Sequence, residues 1–112
     1  MGVLDAIRPR WKNSDSDVRI AAAKETEDPE VLAKMIISDG EWFVRHNALD
    51  RIREVEPDQK WYAKIMRESR DEEIRRKVVK VMTNADDVKW SAENDKYRYV
   101  RDAAEHRLNE LT

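Results

Sequence analysis

Four times in 112 residues the chain repeats one phrase. It reads NSDSDVRIAAA from Asn13, DGEWFVRHNAL from Asp39, SRDEEIRRKVV from Ser69 and DKYRYVRDAAE from Asp95. Aligning the copies stacks Val18, Val44, Ile74 and Val100 in one column, at spacings of 26, 30 and 26 residues. Four positions on stand Ala22, Ala48, Val78 and Ala104, and eight on stand Thr26, Ile52, Met82 and Leu108. An apolar stripe at i, i+4 and i+8 is one face of an α-helix. Five positions before the first column stand Asn13, Asp39, Ser69 and Asp95, all residue types that cap helix starts. Each phrase is therefore read as a leading helix capped at that column, the first running from about Asp15 to Thr26 with Asn13 or Ser14 as its cap.

The intervals between the phrases fit a second, following helix. Asp28-Pro29 is a cap and a first-turn proline, whose missing N–H costs nothing there. The helix it opens carries Leu32, Ala33, Ile36 and Ile37 on one side. Pro57 is expected to open the next follower, with Tyr62, Ala63, Ile65 and Met66 as core candidates, and Asn84 to cap a third with Val88 and Ala92. Ser69-x-x-Glu72 fits a capping box. Ahead of all this, Val3, Leu4 and Ile7 give Met1–Arg8 an apolar face, which Pro9 ends. With few glycines and prolines, β-turn chemistry is sparse.

A period in the upper twenties with two helices per unit predicts an all-α chain, an α-α superhelix of stacked helical pairs. The reading is a single repeat domain of about eight helices. It comprises a terminal half-unit at 1–12, units at about 13–38, 39–68 and 69–94, and a terminal half-unit at 95–112. An unpaired leading helix at one end and a follower-like helix at the other predict a monomer or a weak end-to-end oligomer.

Charged residues make up 41% of the chain, yet the net charge is −2. That balance argues against a nucleic-acid protein, which usually carries a clear basic excess. Hydrophobic residues at 40%, in clear periodicity, argue against disorder. Cysteine is absent, which excludes disulfides, thiolate metal sites and a cysteine nucleophile. No stretch has the ~18–20 apolar residues of a membrane span. Met1–Trp11 does not read as a signal peptide, because Asp5, Arg8 and Arg10 interrupt it. A cytoplasmic location is the expectation.

The phrase Asp-x-x-x-x-Val-Arg-x-x-Ala, with Asp-Pro-Glu-Val-Leu at Asp28–Leu32, resembles the HEAT-like repeats, particularly the short units of phycobilisome-lyase-type proteins. Asp28–Ile36 with Asp39–Val44 is also similar to the leucine-rich-repeat variant. The resemblance covers the chain from Asn13 onward and implies a right-handed α-solenoid of armadillo type. It implies that Arg19, Arg45, Arg75 and Arg101 form a ladder bonding acidic or backbone groups of adjacent units. The alternative reading of that row is a set of anion-binding donors. The resemblance also implies that the following helices line a concave surface. The third unit departs from the pattern: Ile74 replaces Val, Val78 replaces Ala, and its follower lacks the proline.

The columns of the following helices bring Lys34, Lys60, Trp61, Lys64, Arg67 and Trp90 into one candidate patch, a cation and aromatic mixture common at interaction hot spots. The bland alternative is that Trp61 and Trp90 pack across joints between units. Trp42 and Phe43 stand where sister phrases mostly carry polar residues, and form a second candidate surface. Trp11 is assigned to the N-terminal cap. His46 and His106 stand in no metal-binding spacing, and no nucleophile grouping or phosphate loop can be read. The acidic pairs sit at helix starts, where the helix dipole accounts for them.

The expectation is a non-catalytic scaffold that binds another protein, with no cofactor, no metal, no membrane and no small-molecule substrate. Nucleic-acid backbone binding by the Lys/Arg/Trp surface is one competitor. Lyase-type activity, resting on family analogy alone, is the other.

Overall fold

The computed structural model describes residues 8–56 and 58–112. Among them are seven α-helices and no strand. They are α1 (Ser16–Glu25), α2 (Pro29–Ser38), α3 (Trp42–Val55), α4 (Tyr62–Glu68), α5 (Glu72–Val79), α6 (Ala85–Asn94) and α7 (Arg98–Leu111), and a 3-10 turn at Arg10–Lys12 precedes α1. The expected helix through Val3, Leu4 and Ile7, and the helix start at Pro57, lie outside the described residues. No described helix is long and apolar enough to cross a membrane.

The chain forms two compact units, one ending at Asp58 and one running from Gln59 to Thr112. In the first, α3 packs on both α1 and α2, and the 3-10 turn packs on α1. In the second, α7 packs on both α5 and α6, and α4 packs on the same two helices.

The units match at an offset of 56 residues. Shifting α2 and α3 by that number reproduces the bounds of α6 and α7, and the N-caps Asp15, Asp28 and Glu41 become Asp71, Asn84 and Tyr97. The spacings of 26 and 30 seen in the sequence are the two parts of this longer period. α5 stops earlier than α1 does, at Val79. Its continuation is held instead by Gln59, whose amide donates to the Val81 carbonyl at 2.8 Å and accepts from the Thr83 N–H at 3.0 Å. Gln59 makes these bonds from a left-handed backbone, with φ of 60°.

The predicted stripes are buried in α3, α5 and α7, whereas in α1 only Ala22 of the stripe is buried and Val18 is half-buried. Val44, Ala48 and Ile52 of α3, Ile74 and Val78 of α5, and Val100 and Ala104 of α7 are all within 1% of full burial. Leu32, Ala33 and Ile36 of α2 face the core, joined by Met35, which the stripe reading left out. Fully burying a side chain of this size stabilises by ~1.5–3 kcal/mol. Thr26 and Leu108, at the far ends of their stripes, are half-buried.

The cap column does a different job from the one expected. The N-cap of every leading helix stands two residues after the expected column, at Asp15, Glu41, Asp71 and Tyr97. Asn13, Asp39, Ser69 and Asp95 instead accept a bond from the backbone N–H two residues on, at 2.8–3.1 Å, which folds a turn ahead of each helix. Such side chains offer the backbone a local alternative to the helix. Asp71, not Ser69, caps α5, accepting from the Glu73 and Ile74 N–H groups. The caps at Asp28 and Asn84, and Pro29 in the first turn, stand where the sequence placed them.

Candidate functional site

The column arginines divide into two kinds. Arg19 on α1 donates from Nε and Nη2 to the two carboxylate oxygens of Asp39, at 2.9 and 3.3 Å, and from Nη1 to the Asn13 carbonyl at 2.9 Å. Arg75 on α5 repeats this with Asp95, at 2.8 and 3.3 Å, and with the Ser69 carbonyl at 2.9 Å. The bidentate fork matches the planar guanidinium to the carboxylate. The Arg75–Asp95 pair is the more deeply buried, with side chains 6% and 3% exposed against 16% and 6% for Arg19–Asp39. Arg45 and Arg101 hold the backbone at the same turns, donating to the Asp39 and Asp95 carbonyls at 2.9 and 2.7 Å. Arg51 and Arg107 were not singled out from sequence. Each closes the end of a leading segment, donating from Nε to the carbonyls of Thr26 and Met82. Their 56-residue separation, with Glu54 and Glu110 each three positions on, was the available signal.

Each clamp forms the floor of a groove. In the first unit a hollow of about 370 Å³ is bordered by Trp11 and Lys12, by the turn at Asn13 and Ser14, and by the C-terminal end of α2 with Lys34. In the second unit a hollow of about 290 Å³ is bordered by Arg67 and Glu68, by the turn at Ser69 and Arg70, and by α6 with Trp90. The borders correspond in part at the 56-residue offset: Arg19 and Asp39 recur as Arg75 and Asp95, while Lys12 is replaced by Glu68 and Ser14 by Arg70. Trp11 and Lys34 of the first groove are replaced by Arg67 and Trp90 of the second, so each groove keeps one tryptophan and one cation at those two places. In the second groove they touch, with the Arg67 guanidinium 4.3 Å from the centre of the Trp90 ring. Arg67 is held there by Asp87 at 3.3 Å. Gly40 on the first groove corresponds to Lys96 on the second. A Cβ at Gly40 would meet nothing within 4 Å, so the place accommodates a side chain.

The rest of the expected cation and tryptophan patch is distributed. Lys34 and Lys64 are exposed and pair within their own helices, with Glu30 at 3.7 Å and Glu68 at 3.5 Å. Lys60 lies 5.7 Å over the Trp61 ring. Trp61 is half-buried, and its indole Nε1 is buried without a hydrogen-bond partner among the described residues.

Trp42, at 64% exposed, is the most open large apolar side chain described, at the start of α3. Its ring meets Phe43 edge-on at 5.7 Å and His46 at 6.0 Å. Phe43 is half-buried. The second unit carries its own aromatic pair at the start of α7, Tyr97 and Tyr99, 42% and 40% exposed and 6.4 Å apart. Tyr97 also faces the Arg75 guanidinium at 5.5 Å. Partial desolvation, then the carboxylates of Glu72 and Glu73, push the Tyr99 phenol above its ordinary pKa, against the pull of Arg75 and Arg76. The tyrosine pair was not read from sequence; the recurrence of aromatics after Asp39 and Asp95 was its signal.

No group of three or more metal-ligating side chains occurs among the described residues. Comparison with protein-family models, with curated proteins and with solved structures found no match to this chain.

Proposed function

We propose that the protein is a non-catalytic scaffold that binds another protein, built as a HEAT-like α-solenoid. The observation that carries this reading is the exposed aromatics at the starts of α3 and α7, Trp42 beside the half-buried Phe43 and Tyr97 with Tyr99. Large aromatics left open near the starts of corresponding helices in both units are the residue types that dominate interaction hot spots. The solenoid is supported by the recurring Val-Arg-x-x-Ala columns, whose apolar members are buried at α3, α5 and α7. The test is affinity capture from the source cell, followed by reconstitution of the captured protein with the purified chain. Trp42→Ala and the Tyr97→Ser, Tyr99→Ser double variant are expected to weaken the reconstituted complex at unchanged folding. A complex indifferent to both, or none that reconstitutes, overturns the reading.

A further inference from the structure

We propose that the two matching grooves are two binding sites for acidic peptide segments of a partner, one site in each unit. The inference rests on the scaffold reading and names the chemistry that the scaffold accepts.

Charge is the first argument. The chain as a whole is acidic, with a net charge of −2. The first groove nevertheless gathers Arg8, Lys12, Arg19 and Lys34 against one carboxylate, Asp39. The second gathers Arg67, Arg70, Arg75 and Lys96 against Glu68 and Asp95. In each, one Arg–Asp clamp is internally neutral, and Glu68 is matched by Lys64. Each groove is therefore a local positive basin in an acidic protein. Lys12, Arg70 and Lys96 have no carboxylate partner among the described residues, and all three are exposed. Lys34 and Arg67 are engaged by Glu30 and Asp87 in partly exposed pairs that can exchange for an incoming carboxylate at little cost, and Arg8 donates to the Lys12 carbonyl at 3.4 Å.

The floor supplies the second argument. Arg19 is locked by four bonds, one of them to the Ser14 carbonyl, and Arg75 by three, so they fix the turns that carry Ser14 and Arg70 rather than moving with a ligand. A groove already formed loses less ordering entropy when it binds. The third argument is the retained tryptophan. Trp11 and Trp90 sit at different borders, yet each groove keeps one beside a cation. An aromatic face next to positive charge suits an apolar side chain flanked by carboxylates. Hollows of about 370 and 290 Å³ accommodate a few residues of an extended chain. A nucleic acid presents a long continuous track of charge, and the acidic balance of this chain opposes it.

The probe is a short synthetic peptide of glutamates flanking two leucines, titrated into the full chain at low and high salt. Indole N–H signals report each groove separately in a nitrogen-resolved NMR spectrum. Those of Trp11 and Trp90 are expected to move together, with that of Trp42 unmoved, at a stoichiometry of two peptides per chain. Added salt is expected to weaken the binding. Lys12→Glu with Lys34→Glu silences the first site, and Arg70→Glu with Lys96→Glu the second. Each double variant is expected to halve the stoichiometry and leave thermal unfolding unchanged. Combining all four lowers affinity by at least about tenfold, corresponding to 1.4 kcal/mol. Absence of binding, movement of Trp42 alone, or binding untouched by the charge reversals overturns the proposal. So does a single-stranded thymidine oligonucleotide that takes the same grooves more tightly than the peptide. If the reconstituted protein partner still binds the reversed variants but is lost on Trp42→Ala, the grooves are not its site and the scaffold reading stands.

Discussion

Removing the guanidinium of Arg75 tests the central structural claim about the clamps. Arg75→Ala takes away two bonds to Asp95 and one to the Ser69 carbonyl. The Asp95 carboxylate, 3% exposed, then keeps a single bond, from the Tyr97 N–H at 3.0 Å. Stranding a buried charge in this way costs ~3–5 kcal/mol. That is a large part of the ~5–15 kcal/mol that holds a domain together. Arg19→Ala makes the same cut where the arginine is 16% exposed, so water reaches the vacated carboxylate sooner. A loss of ~1.5–3 kcal/mol, the range for hydrogen bonds to a charged group, is expected there. Arg75→Met with Asp95→Asn removes both charges and keeps the acceptor for Tyr97. It is expected to restore more than half of the loss, since it is the stranded charge and not the missing pair that destabilises. Urea unfolding followed by circular dichroism, at low and at high salt, measures all three. The Arg75 effect is expected to persist in high salt, because buried pairs are weakly screened. An Arg75→Ala variant no less stable than Arg19→Ala, or a double variant worse than the single, would falsify the reasoning.

Three further substitutions probe what the 56-residue match implies locally. Asp71→Ala should cost ~0.5–2 kcal/mol of stability in the same urea assay, because Asp71 caps α5, and Ser69→Ala should cost less. Equal losses would restore Ser69 as the cap. Ser91, buried with its hydroxyl unpaired among the described residues, occupies the place that Met35 fills in the first unit. Ser91→Ala is accordingly expected to raise the unfolding midpoint, and a lowered midpoint would show that the hydroxyl has a partner after all.

How far the sequence could be read depended on the range of the interactions involved. Stripes such as Val44, Ala48 and Ile52 were legible because helical periodicity and burial are set by residues a turn apart. Asp28-Pro29 was legible because capping involves residues two apart. The starts of the leading helices were misplaced for a related reason. Asn13 and Asp39 have the right side chains for a cap but use them on a turn, and Asp15 and Glu41 take the helix start. A single column cannot separate these uses. The grooves were only partly legible. Lys34, Arg67 and Trp90 were singled out, but Trp11 was assigned to a terminal cap. Trp11 and Arg67 each stand two positions before a cap column, so their correspondence was present in the aligned phrases but lay outside the columns that were compared. The arginine pairings with Asp39 and Asp95 reach across 20 residues, and nothing in the local pattern announces their partner.

Asp39 and Asp95 each meet three demands at once. The backbone N–H closes the preceding helix, the carboxylate folds the turn that follows, and the same carboxylate holds the arginine of the leading helix. Such pleiotropy narrows what drift can do. Glutamate holds the charge but is too long for the turn, asparagine folds the turn but forfeits the charge, and serine folds it with a single acceptor. Exchange at these two sites therefore needs a simultaneous change at Arg19 or Arg75. Within this protein they are positions of low mutational tolerance.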